Sequence, residues 1–238
     1  MKKQELLDGL KGKLVVSCQA YEDNPLYGIE NMETLARCVL KGGAEGLRAC
    51  WPEAIQEIRK LTDVPLIGIN KVIDGDNFDM YHSVFITPTY ESAKAVIEAG
   101  CDIVALDGTL RERPDGEKLE DIVKRLKEEF PEVPLMADLA TLEEGVACAE
   151  MGFDIISSTL SGYTAETKEK SDLEPDYQLI RELKEHTGCF VNGEGRIWNL
   201  EQLNRVWECG ADMVTIGSAI TNPMKTTRYL VENMKRGR

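Results

Sequence analysis

Three near-copies of one short string, single apolar runs lying between the copies, and helix-length stretches separating the runs predict a (β/α)8 barrel. The copies are Glu98-Ala-Gly-Cys-Asp102, Glu150-Met-Gly-Phe-Asp154 and Glu208-Cys-Gly-Ala-Asp212, with a fainter one at Lys41-Gly-Gly-Ala-Glu45. Each ends a helix-like stretch and opens an apolar run, and the intervals are nearly even. One further run falls in each interval, at Pro65–Lys71, Pro134–Leu139 and Cys189–Glu194, with Leu14–Gln19 ahead of the first copy. Four such periods make eight strand–helix units. Short apolar runs bounded by turn signals and alternating with helices imply a parallel sheet. Eight equal units favour closure of that sheet over an open, doubly wound one. A length of 238 residues suits a single barrel,. No proline- or glycine-rich linker divides residues 1–238, so the chain reads as one domain.

The helices fit the same plan. Glu117–Phe130 places Leu119, Ile122, Val123 and Leu126 on one face and its charges on the other,. Thr141-Leu-Glu-Glu144 has the form of a capping box opening the next helix,. The last segment, Pro223–Met234, carries Tyr229, Leu230, Val231 and Met234 and could cover the barrel or pack on a partner.

Composition narrows the function classes. The chain is 42% hydrophobic and 29% charged, an ordinary globular balance. Its formal net charge of −14 opposes binding to nucleic acid, whose phosphates require a basic face,. No apolar run approaches the ~18 residues needed to cross a bilayer. The basic start Met1-Lys2-Lys3 lacks the apolar core of a signal peptide,, so a cytoplasmic location is expected. Seven scattered cysteines with no C-x-x-C spacing suit reduced thiols, and Cys18, Cys101 and Cys189 read as structural thiols in or beside strands,. Two separated histidines give no metal-ligand pattern, and no metal is expected.

A parallel barrel carries its active site at the carboxyl ends of its strands, so the residue closing each apolar run is the one to read. In order these are Gln19, Arg48, Lys71, Asp107, Asp138, Ser161-Gly162, Glu194-Gly195 and Gly217-Ser218. The ring is polar nearly throughout and could surround a small polyhydroxylated ligand. Gly193-Glu-Gly-Arg196 and Gly217-Ser-Ala219 lead toward helix starts, where backbone amides and the helix dipole can hold a phosphate. Glycine there permits positive φ and close approach of the backbone to a ligand. Lys71 follows the run Pro-Leu-Ile-Gly-Ile-Asn, where partial desolvation would favour its neutral, basic form. A salt bridge to Asp107 or Asp138 is the plainer use of this lysine. Lys71 and Glu194 together suit proton transfer in both directions beside a carbonyl, and a Schiff-base lysine is the competing use.

Several strings resemble one family. They are Val16-Ser-Cys-Gln19, Gly46-Leu-Arg48-Ala, Ile86-Thr-Pro-Thr89, Ala105-Leu-Asp107-Gly-Thr-Leu-Arg-Glu-Arg-Pro-Asp-Gly116, Met136-Ala-Asp138, Thr159-Leu-Ser-Gly-Tyr-Thr164, Gly193-Glu-Gly-Arg196 and Gly217-Ser-Ala-Ile-Thr221. In order along the chain they resemble the N-acetylmannosamine-6-phosphate 2-epimerases, also called N-acylglucosamine-6-phosphate 2-epimerases. The resemblance implies a (β/α)8 barrel that inverts C2 of a phosphorylated N-acetylhexosamine without a cofactor, in bacterial sialic acid catabolism. It also implies a homodimer. By position, Lys71 would take or return the C2 proton, with Glu194 as its acid/base counterpart. Gln19, Arg48 and Asp138 would hold the sugar and an enolate-like intermediate. Amides near Gly195, Arg196, Gly217 and Ser218 would hold the 6-phosphate. Another sugar-phosphate epimerase, a Schiff-base aldolase or a non-catalytic sugar-phosphate binder would share much of this pattern.

Three departures stand out against the family. Thr221-Asn222-Pro223 lacks its usual basic residue, whose place Lys225 or Arg228 could take. The segment Val72–Val84 is longer and should overhang the site. Trp51 follows Arg48 where smaller residues are common and could reshape one wall.

Overall fold

In the computed structural model, which describes residues 3–73, 78–170 and 173–234, eight parallel strands close in sequence order. The strands are β1 (Lys13–Cys18), β2 (Gly46–Cys50), β3 (Leu66–Ile69), β4 (Ile103–Asp107), β5 (Leu135–Asp138), β6 (Ile155–Ser157), β7 (Phe190–Glu194) and β8 (Met213–Ile216). The eighth pairs back onto the first, with Leu14 opposite Val214. Helix α1 (Lys3–Leu10) precedes the barrel. Around it run α2 (Ile29–Lys41), α3 (Pro52–Arg59), α4 (Tyr90–Glu98), α5 (Leu119–Glu129), α6 (Leu142–Met151), α7 (Tyr177–His186) and α8 (Leu200–Glu208). Two more, α9 (Ser218–Thr221) and α10 (Pro223–Asn233), follow β8. Among the described residues no helix is long and apolar enough to cross a membrane.

The alternation of side chains along a strand decides what each strand does. One set of faces, including Leu47, Leu66, Val104, Ala137, Ile156, Val191 and Val214, packs outward against the helices in one large core. The other set points into the barrel. Val15, Ile67, Ile69, Ile103, Met136, Ile155 and Met213 form a second core there with Leu6, Leu7 and Leu10 of α1, which closes the amino-terminal end. Two residues further along the same inward faces the chemistry changes to Ser17, Asp138, Ser157, Asn192 and Thr215, all buried. The barrel is thus dry and apolar at one end and lined with polar groups at the other.

Helix α5 buries Leu119, Ile122, Val123 and Leu126, the face expected from the spacing. The Thr141–Glu144 capping box forms, with each side chain accepting from the other residue's backbone N–H. The sixth strand departs from expectation: it stops at Ser157 rather than running to Ser161-Gly162, and a 3-10 turn, Ser158–Leu160, follows. The cause is local, because Ser158 Oγ donates to the Glu194 carbonyl and accepts from the Glu194 amide, drawing the chain out of ladder register.

The two glycines around Glu194 have different work. A Cβ on Gly193 would sit 2.3 Å from Cγ1 of Val206 on α8, so this glycine serves helix packing rather than ligand approach. Gly195 has φ +110°, which only glycine adopts without strain,. Gly193→Ala is expected to lower stability by ~1–3 kcal/mol through overpacking, read as a lower urea midpoint with an unchanged m-value.

Candidate active site

The carboxyl ends of the strands surround a cavity of about 380 Å³. Its floor and walls include Ser17 and Gln19 from the end of β1, Lys71 beyond β3, Thr159 after β6, Glu194 and Gly195 at β7, and Gly217 and Ser218 after β8. Arg196 also lines it. Seven of the nine site residues expected from sequence therefore lie on one cavity. Arg48 and Asp138 do not; they are 1% and 0% exposed and sit beneath Glu194.

That buried layer is a charged triad. Arg48 Nη2 donates to Asp138 Oδ2 at 2.5 Å and Nη1 donates to Asp138 Oδ1 at 3.1 Å, a two-pronged pairing. Nη1 also reaches Glu194 Oε2 at 2.6 Å. Burial alone would lower the guanidinium pKa, but the charges of Asp138 and Glu194 outweigh it and hold Arg48 firmly protonated. The strand directions explain the meeting: Arg48 on β2, Asp138 on β5 and Glu194 on β7 all face inward, and a guanidinium is long enough to span the interior. In sequence Arg48 reads as a strand end, whereas it lies in the middle of β2, two residues before Cys50.

Glu194 is anchored through one oxygen. Oε2 accepts from Arg48 Nη1 and from Asn192 Nδ2 at 3.2 Å, and at 3.2 Å it shares the hydrogen of Thr159 Oγ1, whose nearer acceptor is Asp138 Oδ1 at 2.7 Å. Asn192 is itself fixed by Thr215 and Ser157 at 2.9 and 2.7 Å. Burial raises the Glu194 pKa above the ordinary carboxylate range, and Asp138 adds to the rise; the charges of Arg48 and Lys71 and the Thr159 hydrogen bond only partly oppose it. The result is a carboxyl group held in one orientation and tuned toward neutrality, the condition for taking and giving a proton.

Lys71 is half-buried on the opposite side, where Nζ donates to the Tyr21 hydroxyl at 2.5 Å. Its main chain is pinned by an antiparallel bridge to Ile86. Neither carboxylate considered as a salt-bridge partner is available to it. Asp138 is taken by Arg48, and Asp107 by Arg111 Nη2 at 2.8 Å and by Thr109. Asp107 is fully buried, so it is framework rather than rim. Arg113 joins the same framework, donating to the carbonyls of Pro88 and Asp107.

Among the described residues, three non-glycine residues have positive φ: Trp51 (72°), Thr87 (47°) and Arg196 (56°). Such conformations cost roughly 1–3 kcal/mol each and gather at functional sites. All three abut the two proton-handling candidates. Trp51 Nε1 donates to the Lys71 carbonyl at 3.1 Å, and the Thr87 amide donates to the carbonyl of Asn70 at 2.7 Å. Arg196 follows Glu194-Gly195. Trp51 is absent from the cavity wall and acts instead from behind Lys71, packed edge-on against Tyr21 and Tyr27.

The Arg196 side chain turns away from the strand-8 side. Its Nε donates to the Glu174 carbonyl at 2.9 Å, and its guanidinium fits against Gly162, where a Cβ would lie 2.0 Å from Nη1. Gln19 lines the cavity and donates to Ser17 Oγ at 2.9 Å, while its Oε1 is buried and, among the described residues, accepts from no group. A buried amide oxygen left in this way wants a donor. Ile73, Phe78 and Met80, from the long segment after Lys71, form an apolar wall. Residues 74–77 of that segment lie outside the described residues.

Tyr21, Thr159 and Asn192 escape the strand-end reading. Asn192 has a signal, since it lies two residues before Glu194 and so shares its inward face. Tyr21 and Thr159 sit in loops whose placement depends on tertiary contacts. The expected structural thiols Cys18 and Cys101 are buried, which pushes both up to about 12; half-buried Cys189 is raised in the same direction. Among the described residues no three His, Cys, Asp or Glu side chains cluster as metal ligands.

A closed eight-stranded barrel with ionisable groups converging on a cavity at its carboxyl face is the layout of a barrel enzyme. Comparison with known proteins sharpens that class. Residues 32–236 match the family model described as "Putative N-acetylmannosamine-6-phosphate epimerase". A protein of Caldanaerobacter subterraneus subsp. tengcongensis, named "Putative N-acetylmannosamine-6-phosphate 2-epimerase", is 40% identical over 235 residues, covering 98% of this chain and 96% of its own. A protein of the same name from Listeria monocytogenes is 40% identical over 231 residues, covering 97% and 95%. The solved N-acetylmannosamine-6-phosphate 2-epimerase of Clostridium perfringens superposes with a TM-score of 0.88 at 36% identity, covering 96% of each chain. The chain belongs to the N-acetylmannosamine-6-phosphate epimerase family.

Proposed function

We propose that this protein interconverts N-acetylmannosamine 6-phosphate and N-acetylglucosamine 6-phosphate by removing and returning the proton on C2. One observation carries the reading: Lys71 follows β3 and Glu194 ends β7, and these strands stand four places apart, halfway round a closed ring of eight. The two groups therefore flank the cavity from opposite sides. Inversion at carbon needs a proton removed from one face and delivered to the other, which two carriers facing each other across the substrate supply. The C2 proton becomes acidic once the sugar ring opens and C1 is an aldehyde, so the substrate provides its own electron sink. Glu194 Oε2 is anchored, leaving Oε1 as the atom to exchange a proton with the sugar. Lys71 serves as the opposing carrier, with the Tyr21 hydroxyl holding its Nζ in place. Gln19, on the cavity wall, hydrogen-bonds a hydroxyl or the amide of the sugar. Arg48 and Asp138 act from below as positioning residues for Glu194. Backbone at Gly195, Arg196, Gly217 and Ser218 forms the phosphate end of the cavity, in keeping with the strand-7 and strand-8 phosphate sites of barrels.

Equilibrating N-acetylmannosamine 6-phosphate with the protein in D2O tests this directly. Proton NMR should show the C2 signal lost as N-acetylglucosamine 6-phosphate appears. Interconversion with full retention of the C2 hydrogen would exclude the proton-transfer mechanism, and no interconversion would exclude the activity.

A further inference from the structure

We propose that Lys225 is the cation that fixes the substrate's phosphate and sets the preference for phosphorylated over neutral sugars. The inference deepens the epimerase reading and rests on it. On the strand-8 side the cavity is lined by Gly217, Ser218, Thr221, Asn222 and Lys225. Two of these side chains are already committed. Thr221 Oγ1 donates to the Ser17 carbonyl at 2.7 Å and to that of Gly217 at 3.1 Å. Asn222 Oδ1 accepts the Lys225 amide at 2.9 Å and so caps α10. Asn222 is therefore a helix cap, and Lys225 is the cationic side chain at this end of the cavity.

The other cations nearby are anchored on different sides. Lys71 is held by Tyr21 and engaged in the proton chemistry, and Arg196, though it lines the cavity, is tied through Nε to the Glu174 carbonyl with its guanidinium packed against Gly162 and its Nη1 buried. Arg228 is exposed on α10 and is absent from the cavity lining. Among the described residues no carboxylate lies within ion-pair distance of Lys225 Nζ.

The electrostatics of the empty cavity point the same way. Lys225 is a rim residue, yet the protein around it lowers its pKa, and the like charges of Lys71 and Arg228 lower it further; only Asp23 opposes them. Two ammonium groups facing one cavity repel each other until an anion enters. A phosphate dianion relieves that repulsion, which makes its binding energy larger than an isolated lysine would give. In a chain of net charge −14 such a local reversal of sign marks where an anion is wanted,. A lysine serves phosphate as a point charge and does not need bidentate geometry.

Lys225→Met and Lys225→Arg test the assignment, since both residues suit an exposed helix position. For each variant, KM for N-acetylmannosamine 6-phosphate and the inhibition constant for inorganic phosphate would be measured. Binding of inorganic phosphate would be read separately by calorimetry, which needs no turnover. The methionine variant should raise KM and weaken phosphate binding on the order of tenfold, the effect of losing one hydrogen bond to a charged group. Its kcat should change much less, and arginine should restore most of the loss. Unchanged phosphate affinity and KM in Lys225→Met would overturn the proposal, as would a collapse of kcat at unchanged phosphate affinity. If the wild-type protein bound phosphate through Lys225 but did not epimerise the sugar, the anion site would stand and the epimerase reading would fall.

Discussion

Lys71→Met and Glu194→Gln should each lower kcat on the order of 10²–10⁴-fold, the usual contribution of a positioned general acid or base. Both variants should keep the far-ultraviolet circular dichroism of the native barrel. Lys71 lies beyond the last residue of β3, and its removal leaves the antiparallel bridge to Ile86 intact, because that contact is made by backbone. In Glu194→Gln the amide carbonyl oxygen can still accept from Arg48 and Asn192. If the two groups serve one inversion, their losses will not add: the double variant should be little slower than the worse single one. Near-normal turnover in either single variant would remove that residue from the chemistry.

Arg48→Met should have the largest effect on stability, a loss of ~3–5 kcal/mol, the size expected for stripping one partner from a buried ion pair. Asp138 and Glu194 would then share a water-poor site with no cation between them. The pH dependence follows in sign. Arg48 opposes the rise of the Glu194 pKa that burial causes, so its loss drives that pKa higher still. A carboxyl whose folded pKa exceeds its unfolded value of ~4.3 favours the folded state most at pH below the unfolded pKa. That advantage disappears as pH rises through the folded pKa. The deficit of Arg48→Met relative to wild type should therefore be smallest in acid and grow toward neutral pH, a trend that denaturant melts across that range would show. In whatever fraction stays folded, the acidic limb of kcat/KM should move to higher pH. A deficit independent of pH would mean that lost packing, and not charge, is the main contribution of Arg48.

Much of the barrel is legible in the sequence because its determinants are local and repeated. Glu98–Asp102, Glu150–Asp154 and Glu208–Asp212 mark three helix-to-strand junctions, and α5 and the Thr141 cap follow from spacing alone. Lys71 and Glu194 are legible as cavity residues because each closes an apolar run, and in a parallel barrel such a charge falls at the carboxyl end where the cavity lies,. Depth is harder to read. Arg48 and Asp138 look like rim residues in sequence, but their mutual neutralisation lets them sink below the cavity, and that pairing spans strands far apart in the chain. The boundary of β6 depends on a single contact, that of Ser158 with the Glu194 main chain. Gly193 looks like a ligand-approach glycine, whereas the methyl of Val206 on α8 occupies the space a side chain would need. Arg111 and Arg113 belong to the longest of the strings that carry the family resemblance, Ala105–Gly116, yet they brace the loop after β4 and are absent from the cavity lining.

The uneven tethering of Glu194 has a practical consequence for the glutamine variant. Arg48 and Asn192 both offer hydrogens at Oε2, so an amide there settles in one orientation, with its oxygen inward. Its NH2 must then point at the sugar, presenting a donor where the native residue presents a base. Glu194→Gln is thus more than an inactive control. It should retain affinity for the sugar oxygens while being unable to turn the sugar over, and so offers a trap in which the occupied cavity can be seen.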